Sequence, residues 1–116
     1  MNFIKPKHLS EATVQAEIYS RCKESNIECY LEYRYENCRF DIIIVSNEKI
    51  LGIIEVKRAH HINTKKQLKK QKEKYSISGL PIHICFCLGD IPHTMTVINN
   101  WLEKQANISN YLIQTG

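Results

Sequence analysis

Two carboxylates and a lysine stand within apolar, β-branched stretches of this chain, where core residues are expected. Asp41 precedes the apolar run 42–45, and Glu55 and Lys57 end the next such run. The polar residues 46–49 between the two runs predict a tight turn that joins two adjacent antiparallel strands. A turn centred near residue 48 pairs residues whose numbers sum to about 96. Asp41 is therefore expected opposite Glu55.

This arrangement places two negative charges side by side. Opposed side chains in antiparallel strands have Cβ atoms roughly 4.5–5.5 Å apart, and like charges at that distance destabilise a sheet. Lys57 lies two residues beyond Glu55 and points to the same face, but it supplies one positive charge for two negative ones. Protonation of one carboxyl group is one remedy, and a bound cation is another. A hard divalent ion such as Mg²⁺ takes carboxylates, waters and substrate phosphate as ligands, and it balances the two carboxylates better than Lys57 alone does.

The same residues also have a purely structural interpretation. Asp41 and Glu55 would then be solvent-facing charges on edge strands, or a register shifted by one residue would separate them. Lys57 would be only an ion-pair partner of Glu55. The apolar residues that flank both carboxylates favour the functional interpretation.

Length and composition predict an ordinary globular protein. The 116 residues are expected to form one domain, 1–116, which is long enough to bury a core. A hydrophobic fraction of 43% and a charged fraction of 24% are typical of soluble proteins. Neither a signal peptide nor a long apolar run is evident, so we expect an intracellular, cytoplasmic protein without a membrane span.

The cysteines predict neither a disulfide framework nor a zinc site. Their number is odd, and no two of them have the CxxC spacing of zinc ligands. We expect reduced core cysteines at all five positions: Cys22, Cys29, Cys38, Cys85 and Cys87.

The first half of the chain predicts a helix followed by three strands. Ser10 is expected to cap a helix over 11–23. Strands are predicted at 29–35, 39–46 and 50–58. The inward face of the helix carries an apolar residue at every fourth position: Val14, Ile18 and Cys22.

The second half alternates helix and strand signals. A Lys-rich helix is predicted from residue 63 or 64 to about 78, where Gly79 ends it. The run 82–88 predicts a buried strand. A last helix begins at residue 92 or 94 and carries four residues at core spacing: Val97, Ile98, Trp101 and Leu102. The tail after residue 107 is ambiguous. The order α-β-β-β-α-β-α indicates an α/β domain with a central mixed sheet flanked by helices.

Basic residues crowd into the segment after Lys57, within a chain of net charge +4. Such a cluster is usually a solvated helix face, but it also suits a polyanion such as nucleic acid. Phosphate contacts, which give affinity rather than base identity, are expected from seven residues. They are Arg58, His60, His61, Lys65, Lys66, Lys69 and Lys70.

Asp41, thirteen intervening residues and then Glu55-Val56-Lys57 resemble the D…ExK signature of the PD-(D/E)xK nuclease superfamily. The predicted order of elements is similar to the common core of that superfamily over about residues 10–90. In the family, Pro or Gly often precedes the motif aspartate, whereas here Phe40 does so.

Two further features resemble particular branches of the superfamily. Gln71 and Tyr75 form a QxxxY on the predicted Lys-rich helix, as in recombination-type exonucleases. Tyr75 is better explained as a packing residue with a polar tip. Glu11, followed by Gln15 on the first helix, is similar to VRR-type nucleases and, more loosely, to archaeal Holliday junction resolvases.

The resemblance implies a restriction-endonuclease-like core and DNA hydrolysis that depends on Mg²⁺ or Mn²⁺. Asp41 and Glu55 would ligate the metal, with the main-chain carbonyl of Val56 as a further ligand. The metal would bind the scissile phosphate and lower the pKa of a bound water. Lys57 would orient that water or help to deprotonate it.

Two supporting residues follow from the same resemblance. Glu11 would reach the metal through a water molecule, although a first-turn acidic residue also simply favours the helix dipole. Glu17 is the alternative acidic residue on that helix. Gln71 would bond a metal ligand or a phosphate, although a surface glutamine between lysines is equally ordinary.

The resulting prediction is a metal-dependent DNA endonuclease of repair, recombination or mobile-element biology, with no organic cofactor. A homodimer is expected, because cutting both strands requires two active sites. One alternative is a non-catalytic nucleic-acid-binding or assembly subunit that retains the nuclease fold. A second is a structural α/β domain in which the motif occurs by chance.

Overall fold

A computed structural model describes residues 10–57 and 78–115 of this chain, together with residues 66, 69, 70, 72, 73 and 76, and describes side chains as far as residue 108. The described residues form an α/β fold with a four-stranded mixed sheet and two helices. The elements in chain order are α1 (Glu11–Glu24), β1 (Glu28–Tyr35), β2 (Cys38–Ser46), β3 (Lys49–Val56), β4 (Ile82–Cys85), a 3-10 helix (Leu88–Asp90) and α2 (Ile91–Thr115).

Helix α1 begins where the sequence predicts. The Oγ atom of Ser10 accepts a hydrogen bond from the main-chain N–H of Thr13 at 3.2 Å, which satisfies one of the N–H groups left unpaired at a helix start. The predicted inward face is confirmed, since its three residues are buried: Val14, Ile18 and Cys22.

The sheet has the strand order β1-β2-β3-β4, with antiparallel pairing throughout except between β3 and β4. A parallel pair needs a long crossover connection, which here is the segment after residue 57. The described residues of that segment from 66 to 78 are helical. Gly79 follows with φ of +66°, a left-handed conformation that glycine adopts without steric cost, as expected at a helix end. The predicted helix start lies outside the described residues.

The β2–β3 hairpin closes with a two-residue turn. Asn47 and Glu48 both have positive φ, 52° and 65°, as in the type I′ turns whose twist matches that of the strands. Ser46 and Lys49 flank the turn as the first opposed pair. The turn is centred between residues 47 and 48, half a residue before the predicted centre.

A β-bulge at Leu51 then shifts the register of the hairpin. Val45 lies opposite Ile50, but the next pair is Ile44 with Gly52, so Leu51 has no residue opposite it. Paired residue numbers sum to 95 next to the turn and to 96 beyond the bulge. The far end of the hairpin therefore has the predicted register.

The two faces of the sheet carry separate apolar clusters. On one face, which we call the helix face, strand residues such as Ile42, Ile54 and Val56 pack with buried residues of α1 and α2. On the other, the distal face, Phe40, Ile43 and Ile53 form a smaller buried cluster. Among the described residues, that cluster includes none from α1 or α2.

Helix α2 approaches β3 closely at Gly52. A Cβ atom at this position would lie 2.5 Å from a ring carbon of Trp101, so only glycine leaves room for the indole. Ile98 is fully buried one turn earlier, and Leu102 packs against the same cluster. The helix starts at Ile91, slightly before the predicted position, and extends through the residues after 107 that the sequence left unassigned.

Strand β4 ends three residues before the predicted boundary. The N–H of Phe86 donates to the carboxylate of Asp90 at 3.0 Å, and the N–H of Asp90 donates to the carbonyl of Cys87 at 3.0 Å. These bonds turn the chain into the 3-10 helix, which the predicted order of elements lacked. The placement of Cys87 on a strand was therefore wrong.

The cysteines are free thiols, but not all of them are core residues. Cys22, Cys29 and Cys85 are buried, whereas Cys38 is half-buried and Cys87 is exposed. The prediction of core positions holds for the three buried thiols only. Within the described part of the chain, no helix combines the length and the apolar character needed to cross a bilayer.

Candidate active site

The two carboxylates of the motif lie where β2 and β3 diverge. Pairing between these strands ends at Ile42 and Ile54, one residue before Asp41 and Glu55. Phe40 lies in the same distal cluster as Ile43, three residues later, so β2 departs from regular alternation at this point and the facing of Asp41 and Glu55 stays a prediction. β3 itself continues along β4, with Val56 paired to Cys85. The opening between β2 and β3 is thus lined by the motif residues.

The Asp41 side chain turns into this opening and bonds the neighbouring strand. Its Oδ2 atom accepts a hydrogen bond from the main-chain N–H of Val56 at 2.8 Å, in a partly buried setting. The N–H and C=O groups of one residue in an antiparallel strand point to the same side. The Val56 carbonyl therefore also faces Asp41, as the predicted ligand set requires.

Glu55 is a charged residue in an apolar place, with only 3% of its surface exposed. Its neighbour Ile54 lies on the helix face, so alternation puts Glu55 on the distal face with Ile53. Lys57 is half-buried, and its N–H donates to the Cys85 carbonyl at 3.0 Å. This bond extends the β3–β4 ladder by one residue, so Lys57 points to the same side as Glu55, as predicted.

Helix α1 reaches the site through Gln15. The Nε2 atom of this residue donates to the main-chain carbonyl of Asp41 at 3.0 Å and to Oε1 of Glu32 at 3.1 Å. Glu32 is the β1 residue opposite Asp41, since the pairs on either side of it follow one register. Its other oxygen lies 2.9 Å from the Arg39 guanidinium. Asp41 is thereby bonded to β3 through its carboxylate and to α1 through its main-chain carbonyl.

Sequence reasoning missed Glu32 and the contact that Gln15 makes. The sequence did contain a signal for Glu32. A two-residue loop at 36–37 places residues of β1 and β2 opposite each other when their numbers sum to 73, as those of Glu32 and Asp41 do. Glu32 also has a φ of 54°, a left-handed conformation that is rare for a residue with a side chain. That conformation has no signature in the sequence, where glycine or asparagine would be its usual sign.

The first helix offers two acidic residues, and their surroundings differ. Glu11 is exposed in the first turn of α1, four residues before Gln15 and hence on the same side of the helix. Glu17 instead pairs with Arg21 along the helix, at 3.1 Å. The contact between Gln15 and Asp41 therefore favours Glu11 over Glu17 as the acidic residue nearer the site.

The remaining predicted residues fall after β3. Lys66, Lys69 and Lys70 are helical and exposed, and so is Lys72. The others lie outside the described residues: Gln71, Tyr75, Arg58, His60, His61 and Lys65.

The donor atoms at the strand opening suit a hard cation. Asp41 and Glu55 supply carboxylate oxygens and Val56 supplies a carbonyl oxygen, with no nitrogen or sulfur donor among the three. Across the described part of the chain, no three His, Cys, Asp or Glu side chains are grouped so that they could hold a metal. Mg²⁺ needs no such group, because it commonly takes one or two carboxylates and completes its shell with waters and substrate phosphate. The residues present therefore fit Mg²⁺ or Mn²⁺ better than Zn²⁺.

Comparison with known proteins identifies no relative. No protein family, curated protein or solved structure matches this chain. The functional interpretation therefore depends on the chemistry of the residues described above.

Proposed function

We propose that this protein is a divalent-metal-dependent nuclease that hydrolyses DNA phosphodiester bonds and has a restriction-endonuclease-like core. The observation that carries the proposal is the hydrogen bond from the Val56 N–H to Oδ2 of Asp41. It holds one carboxylate of the motif against the main chain of β3, at the residue that follows the buried Glu55. A purely structural pair of surface charges would have neither the burial nor this bond.

Each residue of the motif has a distinct task in this proposal. Asp41, Glu55 and the Val56 carbonyl hold Mg²⁺ or Mn²⁺, which when bound polarises the scissile phosphate and acidifies a water molecule. The ammonium of Lys57, on the same side as Glu55, orients the attacking water and offsets the negative charge that develops on the phosphate oxygens. Gln15 keeps the Asp41 main chain in position through its bond to the carbonyl.

The charge distribution supports a polyanionic substrate. Of the residues that the structure describes between β3 and β4, four are exposed lysines: Lys66, Lys69, Lys70 and Lys72. Lysines contact phosphates without reading sequence, and they give binding that weakens as salt concentration rises. DNA of repair, recombination or mobile-element intermediates is the substrate that we propose, cut by a homodimer because two strands need two active sites.

The fold supports the restriction-endonuclease-like assignment at the level of topology. A helix precedes three antiparallel strands, and a crossover leads to a fourth strand that is parallel to the third. The motif lies on the second and third strands, with α1 and α2 packed on the opposite side of the sheet from Glu55.

A plasmid-nicking assay tests the proposal. Wild-type protein with Mg²⁺ is expected to convert supercoiled plasmid to nicked or linear forms, and EDTA is expected to stop this. Asp41→Asn and Glu55→Gln should each reduce the rate by at least about 100-fold, because each removes a metal ligand. Glu17→Gln, a change on α1 at a half-buried residue that, among the described residues, bonds only Arg21, serves as the matched control and should leave the rate unchanged.

Two results would contradict the proposal. One is cleavage that persists in EDTA, and the other is cleavage that is unchanged in Asp41→Asn. Salt-sensitive DNA binding without cleavage by the wild-type protein, under any divalent metal, would instead favour a non-catalytic nucleic-acid-binding subunit.

A further inference from the structure

The distal face of the sheet contains a cavity lined by aromatic rings. Its volume is about 120 Å³. Phe40 and Ile53 form its buried part, and Tyr33 and Tyr35 of β1 contribute phenol rings. Ser78, near the end of the crossover connection, adds a hydroxyl group.

This cavity lies beside the proposed active site. Phe40 directly precedes Asp41 in β2, and Ile53 precedes Glu55 by two residues in β3 on the same face. Two strand residues span about 7 Å, so the cavity is within reach of a nucleotide whose phosphate lies at the carboxylates. Tyr33 is opposite Phe40 in the β1–β2 register, which brings two rings to the cavity end nearest Asp41.

The lining has the chemistry that a nucleobase needs. Aromatic rings offer flat apolar surfaces on which a base stacks whatever its identity. The hydroxyl groups of Tyr33, Tyr35 and Ser78 offer hydrogen bonds to the polar edge of a base. A cavity of about 120 Å³ accommodates one ring system, whereas a second copy of the chain would need a broad contact of roughly 800 Å² per partner, so it is the poorer occupant of this cavity.

We infer that this cavity holds an unpaired nucleobase of the strand being cut, next to the scissile phosphate. The inference rests on the proposed nuclease function and specifies its substrate. A base inside an intact duplex is stacked and paired and cannot enter a pocket without leaving the helix, at a cost in free energy. The substrate is therefore DNA with an unpaired nucleotide at the cleavage site, as in a single strand, a flap, a gap or a locally unwound region of a supercoiled plasmid.

Binding measurements in EDTA test the inference without any need for turnover. A fluorescent single-stranded oligonucleotide, a duplex of the same sequence, and a single strand with an abasic site are titrated with protein. Wild-type protein should bind the single strand more tightly than the duplex, and the abasic nucleotide should weaken binding. A 2-aminopurine base in the intact strand should change its fluorescence on binding.

Tyr35 gives the sharpest variant, because its ring is 41% exposed at the end of β1 and its loss spares the core. Tyr35→Ala should weaken single-strand binding roughly 5- to 100-fold, the range expected for one lost base-stacking contact, and Tyr35→Phe should restore most of it. Tyr30→Ala is the matched control, since Tyr30 lies on the same strand, is 50% exposed and does not line the cavity. Tyr30→Ala should change single-strand binding less than about 2-fold, because no base-stacking contact is lost.

Three results would overturn the inference: equal affinity for single strand and duplex, equal effects of Tyr35→Ala and Tyr30→Ala, or a change in sedimentation for Tyr35→Ala without a change in DNA binding. The last would identify the cavity as part of a protein interface. Failure of the nuclease proposal would look different. The single-strand preference and the Tyr35 effect would then persist in EDTA, but wild-type protein would not cleave when Mg²⁺ is added.

Discussion

The main-chain N–H of Val56 donates to Oδ2 of Asp41 across 2.8 Å, at the point where their two strands part. A side chain of one strand thus replaces the main-chain acceptor that a continued ladder would supply. Asp41 consequently has two separable properties, its charge and its role as a hydrogen-bond acceptor. Substitutions that remove one property at a time distinguish structure from catalysis.

Asp41→Asn and Asp41→Ala should have equal effects on cleavage and unequal effects on stability. Asparagine retains an oxygen acceptor for the Val56 N–H, whereas alanine leaves this partly buried donor unsatisfied. We expect Asp41→Ala to lower the free energy of unfolding by about 1–3 kcal/mol, and Asp41→Asn by less. Urea unfolding measures the difference. Equal destabilisation by both substitutions would show that the hydrogen bond contributes nothing to the fold.

Metal binding should appear in the stability of the protein as well as in its activity. A ligand that binds only the folded state raises the melting temperature with increasing concentration. Mg²⁺ or Mn²⁺ should therefore raise the melting temperature of the wild-type protein and fail to raise that of Asp41→Asn. A shift of the same size in both proteins would place the bound metal elsewhere.

Gln15 should act through the position of Asp41. Replacing it with leucine removes the donor to the Asp41 carbonyl and to Glu32, and should lower the free energy of unfolding by about 1 kcal/mol. Glu17→Ala on the same helix removes a half-exposed ion pair with Arg21 and should cost no more than about 0.5 kcal/mol. The metal concentration for half-maximal cleavage should rise in Gln15→Leu only. An unchanged metal requirement would limit Gln15 to a structural role.

Gly52→Ala should destabilise the packing of α2 on β3. The new Cβ atom would lie 2.5 Å from a ring carbon of Trp101, and overpacking of this kind typically costs about 1–3 kcal/mol. Gly89→Ala is the matched control, because its nearest contact would be an ordinary 3.7 Å to the Cys87 sulfur. Thermal unfolding compares the two. If Trp101→Leu relieves the effect of Gly52→Ala in the double variant, the clash is the cause.

Stability should fall as the solution is acidified, through His83. Burial lowers the pKa of His83, the nearby His93 lowers it further, and Asp90 opposes the shift. The unfolded chain then binds a proton more readily than the folded one, so stability is complete above about pH 6.5 and is lost as the pH falls through the lower folded-state pKa. His83→Gln should flatten the dependence of the urea midpoint on pH between 7.5 and 5.5. An unchanged profile would assign the acid sensitivity to other groups.

The parts of the fold that the sequence predicted well are those decided by neighbours along the chain. The Ser10 cap, the inward stripe of α1 and the glycine after the crossover helix follow from local chemistry and periodicity. The register of the far end of the hairpin, as far as the pair Ile42 and Ile54, was also predicted, but by reasoning that omitted the bulge at Leu51. A turn centre placed half a residue too late compensated for that omission.

The parts that could not be predicted depend on contacts between distant segments. The carboxylate of Asp90 captures the Phe86 N–H and ends β4, although the apolar run continues to residue 88. Glu32 adopts a left-handed conformation at the position where Gln15, Arg39 and Asp41 meet around it. In both places a polar side chain outweighs the local pattern of apolar residues.

The bulge at Leu51 makes the length of the hairpin as important as its composition. In a hairpin with a two-residue turn and no bulge, the number of residues between two opposed residues is always even. Thirteen residues, however, lie between Asp41 and Glu55. The unpaired Leu51 supplies the odd residue. Deleting Leu51 would leave twelve residues between the two carboxylates, the even number of a hairpin without a bulge, so their relative register would be kept. Deleting a different single residue of the hairpin while the bulge remains would instead shift one strand by one position and turn one carboxylate to the other face of the sheet. The bulge is therefore what allows an odd number of residues between Asp41 and Glu55.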